Sequence, residues 1–184
     1  AEVYDLNSKK VWGKSQKIDI PEDGVVIDIF TIDFPQNITQ VHFIKLRLFD
    51  TKGKEVANTF YWRSNDKYEG RKTLTGPTSS GFEDLSKLKQ VQLKTRYQTY
   101  QEGDRHFIKA EIKNPSSTVA FFTQLQLLGQ DKKPVRPSFY TDNFFSLLPG
   151  ESKTVIIETA ASDMPSEPTF VVKGWNIKPS SFKL

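Results

Sequence analysis

Residues 140–159 read YTDNFFSLLPGESKTVIIET. Two phenylalanines and two leucines crowd a Pro-Gly pair, and a strand-like apolar run follows at once. Pro149-Gly150 has the chemistry of a tight turn: proline presets φ and glycine accepts a positive φ. Bulk beside such a turn has two explanations. Either this is the corner of a β-sandwich, with apolar side chains plugging the end of a core, or it is a loop shaped for a ligand.

Working outward, the corner lies in a region of repeated short strand patterns. VQLKTRYQTY alternates Val91, Leu93, Thr95 and Tyr97. After a QEGD turn, RHFIKAEIKN alternates Ile108, Ala110 and Ile112 with Lys109, Glu111 and Lys113. VAFFTQLQLLG sets Val119, Phe121, Leu125 and Leu127 on one face, and TFVVKGWNI reads as a last strand. Six or seven short strands with turns every ~8–12 residues are the pattern of an immunoglobulin-like sandwich. Upstream, EVYDL, VWGKSQKIDI, VVIDIFTIDF, VHFIKLRLFD and KEVANTFYW predict about five more strands, with Ile44, Leu46 and Leu48 opposite Lys45 and Arg47. Between the regions, RSNDKYEGRKTLTGPTSSG lacks periodicity and reads as a linker, and FEDLSKLKQ offers one helical turn. The predicted class is all-β: two immunoglobulin-like sandwiches in tandem, spanning residues 1–75 and 76–184. The first is small for a closed core and is expected to lack strands that would precede Ala1.

Composition narrows the function classes. The 184 residues are 36% hydrophobic and 26% charged, which suits packed domains rather than disorder. No apolar run approaches the ~18 residues of a membrane span, so no membrane partner is expected. The charge of +4 is spread among acids rather than drawn into a basic stripe, so no nucleic-acid partner is expected either. Cysteine is absent, which removes disulfides, thiolate nucleophiles and thiolate-bound metals. His42 and His106 stand far apart in strand patterns and are expected to be satisfied there. No metal ligands at recognisable spacing accompany them, and neither EDG nor QEGD has a calcium-loop layout. No cofactor is expected. Asn37 begins an NIT sequon, which matters only in a eukaryotic secretory setting. The opening AEVYDLNSKK has neither a leader layout nor an initiator methionine, and a piece of a longer protein is expected.

Three stretches carry a resemblance to a known family: FIKLRLFDTKGKEVANTFYWRS, AEIKNPSSTVAFFTQLQLL and PSFYTDNFFSLLPGESKTVIIE. In this order they resemble the C-terminal end of glycoside hydrolase family 2 enzymes, in the branch holding β-mannosidases, exo-β-D-glucosaminidases and mannosylglycoprotein endo-β-mannosidases. The resemblance implies a five-domain parent with a catalytic (β/α)₈ barrel, of which this chain is most of the fourth domain and all of the fifth. It implies a retaining mechanism through two carboxylates about 5–5.5 Å apart, both housed on the barrel. No catalytic residue is therefore expected here, and this piece alone should do no glycoside chemistry. The expected role is accessory: to support and partly wall the barrel of an enzyme acting on β-mannosides or β-glucosaminides. The expected partners are that barrel and an oligosaccharide, and the expected compartment is periplasmic or extracellular. An independent carbohydrate-binding module and a structural or adhesion sandwich are the alternatives.

The candidate contact residues lie in the opening stretch. On the structural reading Phe144, Leu147 and Leu148 pack into the sandwich end, while Asp142 or Asn143 caps nearby backbone N–H groups. On the functional reading Tyr140, Asp142, Asn143 and Phe145 face outward to form a sugar-binding or substrate-rim site. Exposure of Tyr140 and Phe145 beside Asp142 separates the two. Trp12, Trp62 and Trp175 are expected to pack in the core or between domains, with Trp12 the most exposed of the three.

Overall fold

The computed structural model describes residues 1–65 and 81–184. It is all-β and divides into two compact units, Ala1–Leu88 and Lys89–Leu184. The expected linker lies largely, and the expected junction at residues 75 and 76 wholly, outside the described residues.

In the first unit, β1 (Glu2–Asp5), β2 (Lys10–Gly13), β3 (Val41–Phe49) and β4 (Glu55–Ser64) form one antiparallel sheet in the order β2-β1-β3-β4. Local chemistry fixes its turns. Asp50 Oδ1 accepts the N–H groups of Lys52 and Lys54, each at 2.9 Å, and Gly53 takes φ +79°, closing the β3–β4 hairpin. In β3, Val41, His42, Phe43, Ile44 and Lys45 are all buried, so both faces of that half are covered. The expected amphipathic alternation fails there, because β3 is central in its sheet: Lys45 is buried while Leu48, near the far end, is exposed. His42 corrects a second expectation, since neither ring nitrogen has a hydrogen-bond partner. Two predicted strands also change. Of VWGKSQKIDI only residues 11–13 are strand, as the end of β2, and residues 25–34 join no ladder. Glu83–Lys87 forms a short 3₁₀ helix that buries Leu85, at the place of the predicted helical turn.

The second unit stacks two four-stranded antiparallel sheets. One has the order β5 (Lys94–Glu102), β6 (Arg105–Lys113), β10 (Ser152–Ala160), β8 (Phe139–Tyr140); the other runs β12 (Ile177–Lys183), β11 (Thr169–Gly174), β7 (Ala120–Leu128), β9 (Phe145–Leu147). Period-two alternation sends Ile108, Ala110 and Ile112 of β6 and Val155 and Ile157 of β10 inward, against Leu125 and Leu127 of β7 and Phe170 and Val172 of β11. Fully burying one such Ile, Leu, Val or Phe side chain is worth about 1.5–3 kcal/mol, so this cluster is the main source of stability. Phe170 stacks on Phe182 with centroids 4.8 Å apart, and the Tyr97 ring meets Phe170 edge-on at 5.1 Å. The sequence reading ends at one strand, TFVVKGWNI. The chain instead turns at Trp175-Asn176 and returns as β12, an edge strand that tolerates Pro179.

Candidate functional site

The corner at residues 140–151 is built by side chains that bond to backbone. Asn143 Oδ1 accepts the Leu125 N–H at 2.8 Å, and its Nδ2 donates to the Leu125 carbonyl at 3.0 Å. The Tyr140 hydroxyl accepts the Leu127 N–H at 2.9 Å, which ties β8 across to β7. Burial pushes the Tyr140 phenol above its ordinary value, against the pull of that Leu127 N–H. Asp142 pairs with Lys153, whose Nζ also lies 5.1 Å from the centroid of the Phe145 ring. Glu151 Oε2 accepts the Leu148 N–H at 2.9 Å while Gly150 sits at φ +81°, so the Pro-Gly-Glu turn holds itself shut. Below it, the fully buried Asn114 donates to the carbonyls of Thr118 and Leu147.

These contacts place each candidate residue. Phe145 is buried, 8% exposed, and packs in the main core, so its expected outward orientation is corrected. Tyr140 is half-buried against the same core. Asn143 points its amide inward at Leu125, and Asp142 alone remains near the surface, engaged by Lys153. The four lie on neighbouring positions without converging on an open surface. The titratable pair among them, Tyr140 and Asp142, meets a backbone amide and a lysine. Among the described residues, no group of three or more His, Asp or Glu side chains is placed to hold a metal ion.

The aromatic side chains that do face solvent are others. Phe144, expected inside, is 49% exposed, and Leu147 and Leu148 are buried. Trp175 is 60% exposed and Trp62 is 40% exposed, whereas Trp12 is half-buried with its ring 6.3 Å from Phe30. Trp12, expected to be the most exposed of the three, is thus the least, because Trp175 occupies a hairpin turn and Trp12 lies in a strand beside Phe30. Phe122 and Phe144 meet at 5.4 Å with ring planes 47° apart, and both take positive φ, +56° and +58°. Bulky residues rarely hold that conformation, which costs of order 1–3 kcal/mol each and persists where surrounding contacts impose it. Here the Phe122 N–H is held by Ser146 Oγ at 3.1 Å, and the Phe144 N–H by Asn143 Oδ1 at 3.1 Å. The Trp175 N–H donates to the Phe121 carbonyl at 3.0 Å, and buried Asn176 accepts the Phe121 N–H at 2.9 Å. One sequence signal anticipates this surface. Two adjacent phenylalanines in a strand cannot both face the same core, so Phe121-Phe122 in β7 must send one ring outward.

Two stacked antiparallel sheets whose end is closed by side-chain clamps define an immunoglobulin-like β-sandwich. The family model described as the exo-beta-D-glucosaminidase Ig-fold domain matches residues 73–177, and the chain belongs to that family. The chain is 30% identical to an exo-beta-D-glucosaminidase of Streptomyces avermitilis over 76% of its own length and 16% of that protein. It is 25% identical to an exo-beta-D-glucosaminidase of Amycolatopsis orientalis over 95% of its length and 18% of that protein. It therefore spans less than a fifth of the curated relatives it matches. The crystal structure of Amycolatopsis orientalis exo-chitosanase CsxA superposes on all of this chain with a TM-score of 0.87 at 21% identity, over 23% of that chain. A complex of a CsxA variant with PNP-β-D-glucosamine gives a TM-score of 0.86, also at 21% identity. Both support the fold.

Proposed function

We propose that this chain is a non-catalytic accessory part of a retaining family 2 glycoside hydrolase acting on β-D-glucosaminides outside the cytoplasm, in the periplasm or medium. It props the catalytic barrel and partly walls it. The family match over residues 73–177 carries this reading, and the names of the two curated relatives support the glucosaminide. The geometry of the corner supports the non-catalytic role, because Tyr140 and Asp142 are occupied in holding the fold. Any contact with an oligosaccharide at this corner falls to the faces of Phe122 and Phe144, with Asn143 holding the Phe144 backbone N–H. The test is hydrolysis by the full-length polypeptide. Turnover of PNP-β-D-glucosamine well above that of PNP-β-D-mannoside is expected. Preference for the mannoside would overturn the substrate assignment, and turnover of neither would overturn the enzyme assignment.

A further inference from the structure

Cations that are dispersed along the sequence gather on one face of the second unit. Ile108, Ala110 and Ile112 of β6 point into the core, so Lys109, Glu111 and Lys113 point out of the β5-β6-β10-β8 sheet. The ladder sets Lys94 opposite Lys113, Arg96 opposite Glu111 and Gln98 opposite Lys109, while β10 places Thr154 beside Glu111. All of these side chains are exposed. Arg96, Gln98, Lys109, Glu111 and Thr154, together with Tyr97, line an open depression of about 360 Å³. Among the described residues, Lys94, Arg96, Lys109 and Lys113 make no ion pair and no side-chain hydrogen bond. Other cations of this unit do: Arg105 pairs with Glu158, Lys153 with Asp142, and Lys173 donates to Gln126. Lys94 and Lys113 stand directly across the ladder, where Cβ atoms lie about 4.5–5.5 Å apart and like charges destabilise a sheet. Lysines on an edge strand such as β5 block unwanted strand pairing, but Lys109 and Lys113 lie on β6, inside the sheet.

We propose that this face binds an acidic polysaccharide, with its carboxylates on Lys94, Arg96, Lys109 and Lys113 and its hydroxyls on Gln98, Glu111 and Thr154. An anionic chain relieves the repulsion between the opposed lysines, and the Arg96 fork matches a carboxylate. A chain of protonated glucosaminides would be repelled, so this face is no extension of the substrate site proposed above. The mixture of groups favours a glycan over a nucleic acid. Glu111 lies between Lys109 and Lys113, where it repels a continuous phosphate backbone yet accepts hydrogen bonds from sugar hydroxyls. On the rung beyond Lys109, Tyr100 and Phe107 are half-buried and stacked on each other, with centroids 5.0 Å and planes 14° apart. They offer little of the open ring face on which single-stranded nucleic acids stack.

Titration calorimetry of the full-length polypeptide with galacturonate oligomers tests this, beside a neutral cello-oligosaccharide and single-stranded DNA. Galacturonate is expected to bind at about 0.05 M salt and at least about tenfold more weakly at about 0.5 M, because exposed charges are screened there. Arg96→Gln with Lys109→Gln should weaken binding at least about tenfold while leaving turnover of PNP-β-D-glucosamine unchanged. Lys94→Gln should also weaken binding yet hold or raise the melting temperature, since it removes the repulsion from Lys113. No galacturonate binding, or binding that these variants leave unchanged, would overturn the proposal. Tighter binding of the DNA, lost in the same variants, would overturn it in favour of a nucleic acid. Equal affinity for the cello-oligosaccharide would overturn the role of charge. None of these probes is a glucosaminide, so failure here leaves the substrate assignment standing, and failure of that assignment leaves this one.

Discussion

Asn143 holds Leu125 at both of its backbone groups, accepting the N–H at 2.8 Å and donating to the carbonyl at 3.0 Å. A strand neighbour would make the same two bonds. A single side chain thus stands in for a piece of β-ladder where β9 is too short to supply one. Asn143→Ala leaves two backbone groups of Leu125 without partners, and each orphaned group costs about 1–3 kcal/mol. A urea titration should show a loss in that range. A change under about 0.5 kcal/mol, the size typical of neutral surface sites, would mean the clamp is dispensable.

The two phenylalanines after Asn143 should behave oppositely. Phe145→Ala removes a ring from the core and is expected to cost about 3–5 kcal/mol. Phe144→Gly removes an exposed ring from a φ of +58°, where glycine is unstrained, and should change stability by less than about 1 kcal/mol. Equal losses measured for the two variants would contradict the inward–outward assignment.

Gly174 has no room for a methyl group. A Cβ there would lie 2.4 Å from Ile177 Cδ1 and 2.9 Å from the Phe122 carbonyl oxygen. The isoleucine end can turn away, but the carbonyl belongs to Phe122, whose backbone is held at φ +56° within β7. Gly174→Ala should cost about 1–3 kcal/mol and shift the fluorescence of neighbouring Trp175. A variant as stable as the parent, with unchanged emission, would show the close approach to be unnecessary.

His42 predicts a pH dependence. Burial, with Arg63 nearby, pushes its pKa below the ordinary value, and the Thr39 backbone pulls the other way without closing a hydrogen bond. The unfolded chain therefore binds this proton more readily than the folded one. Stability is retained above the ordinary histidine pKa of about 6.5 and is lost as pH falls below it toward the lowered folded value. Urea midpoints for the first unit should fall as the solution is acidified through that window, and His42→Phe should flatten the fall. A midpoint that rises on acidification would contradict the sign.

Much of the second unit was legible in the sequence because its strands obey period two, and Ile108, Ala110, Ile112, Leu125 and Leu127 lie inside as the alternation requires. β12 was hidden by Pro179, which argues against a strand except at the sheet edge where it sits. In the first unit, the alternation of β3 misled because cover on both faces buries Lys45 and His42 along with the apolar side chains. The stretch at residues 140–151 was legible as a corner, but the orientation within it was not. Which of two adjacent phenylalanines faces the core depends on the register between β7 and β9, which shifts between Ala120 and Thr123. The clamps by Asn143, Asn114 and Asn176 join positions far apart in sequence, and no local pattern encodes them.

The proposed role is to shape and stabilise an enzyme without taking part in its chemistry. The direct measurement is kcat for PNP-β-D-glucosamine in the full-length polypeptide carrying Tyr140→Phe and Asp142→Asn together, compared with the unaltered polypeptide. Rates within about twofold of each other are predicted. A loss of ~10²-fold or more with the fold intact, the scale of a missing general acid or base, would contradict the claim.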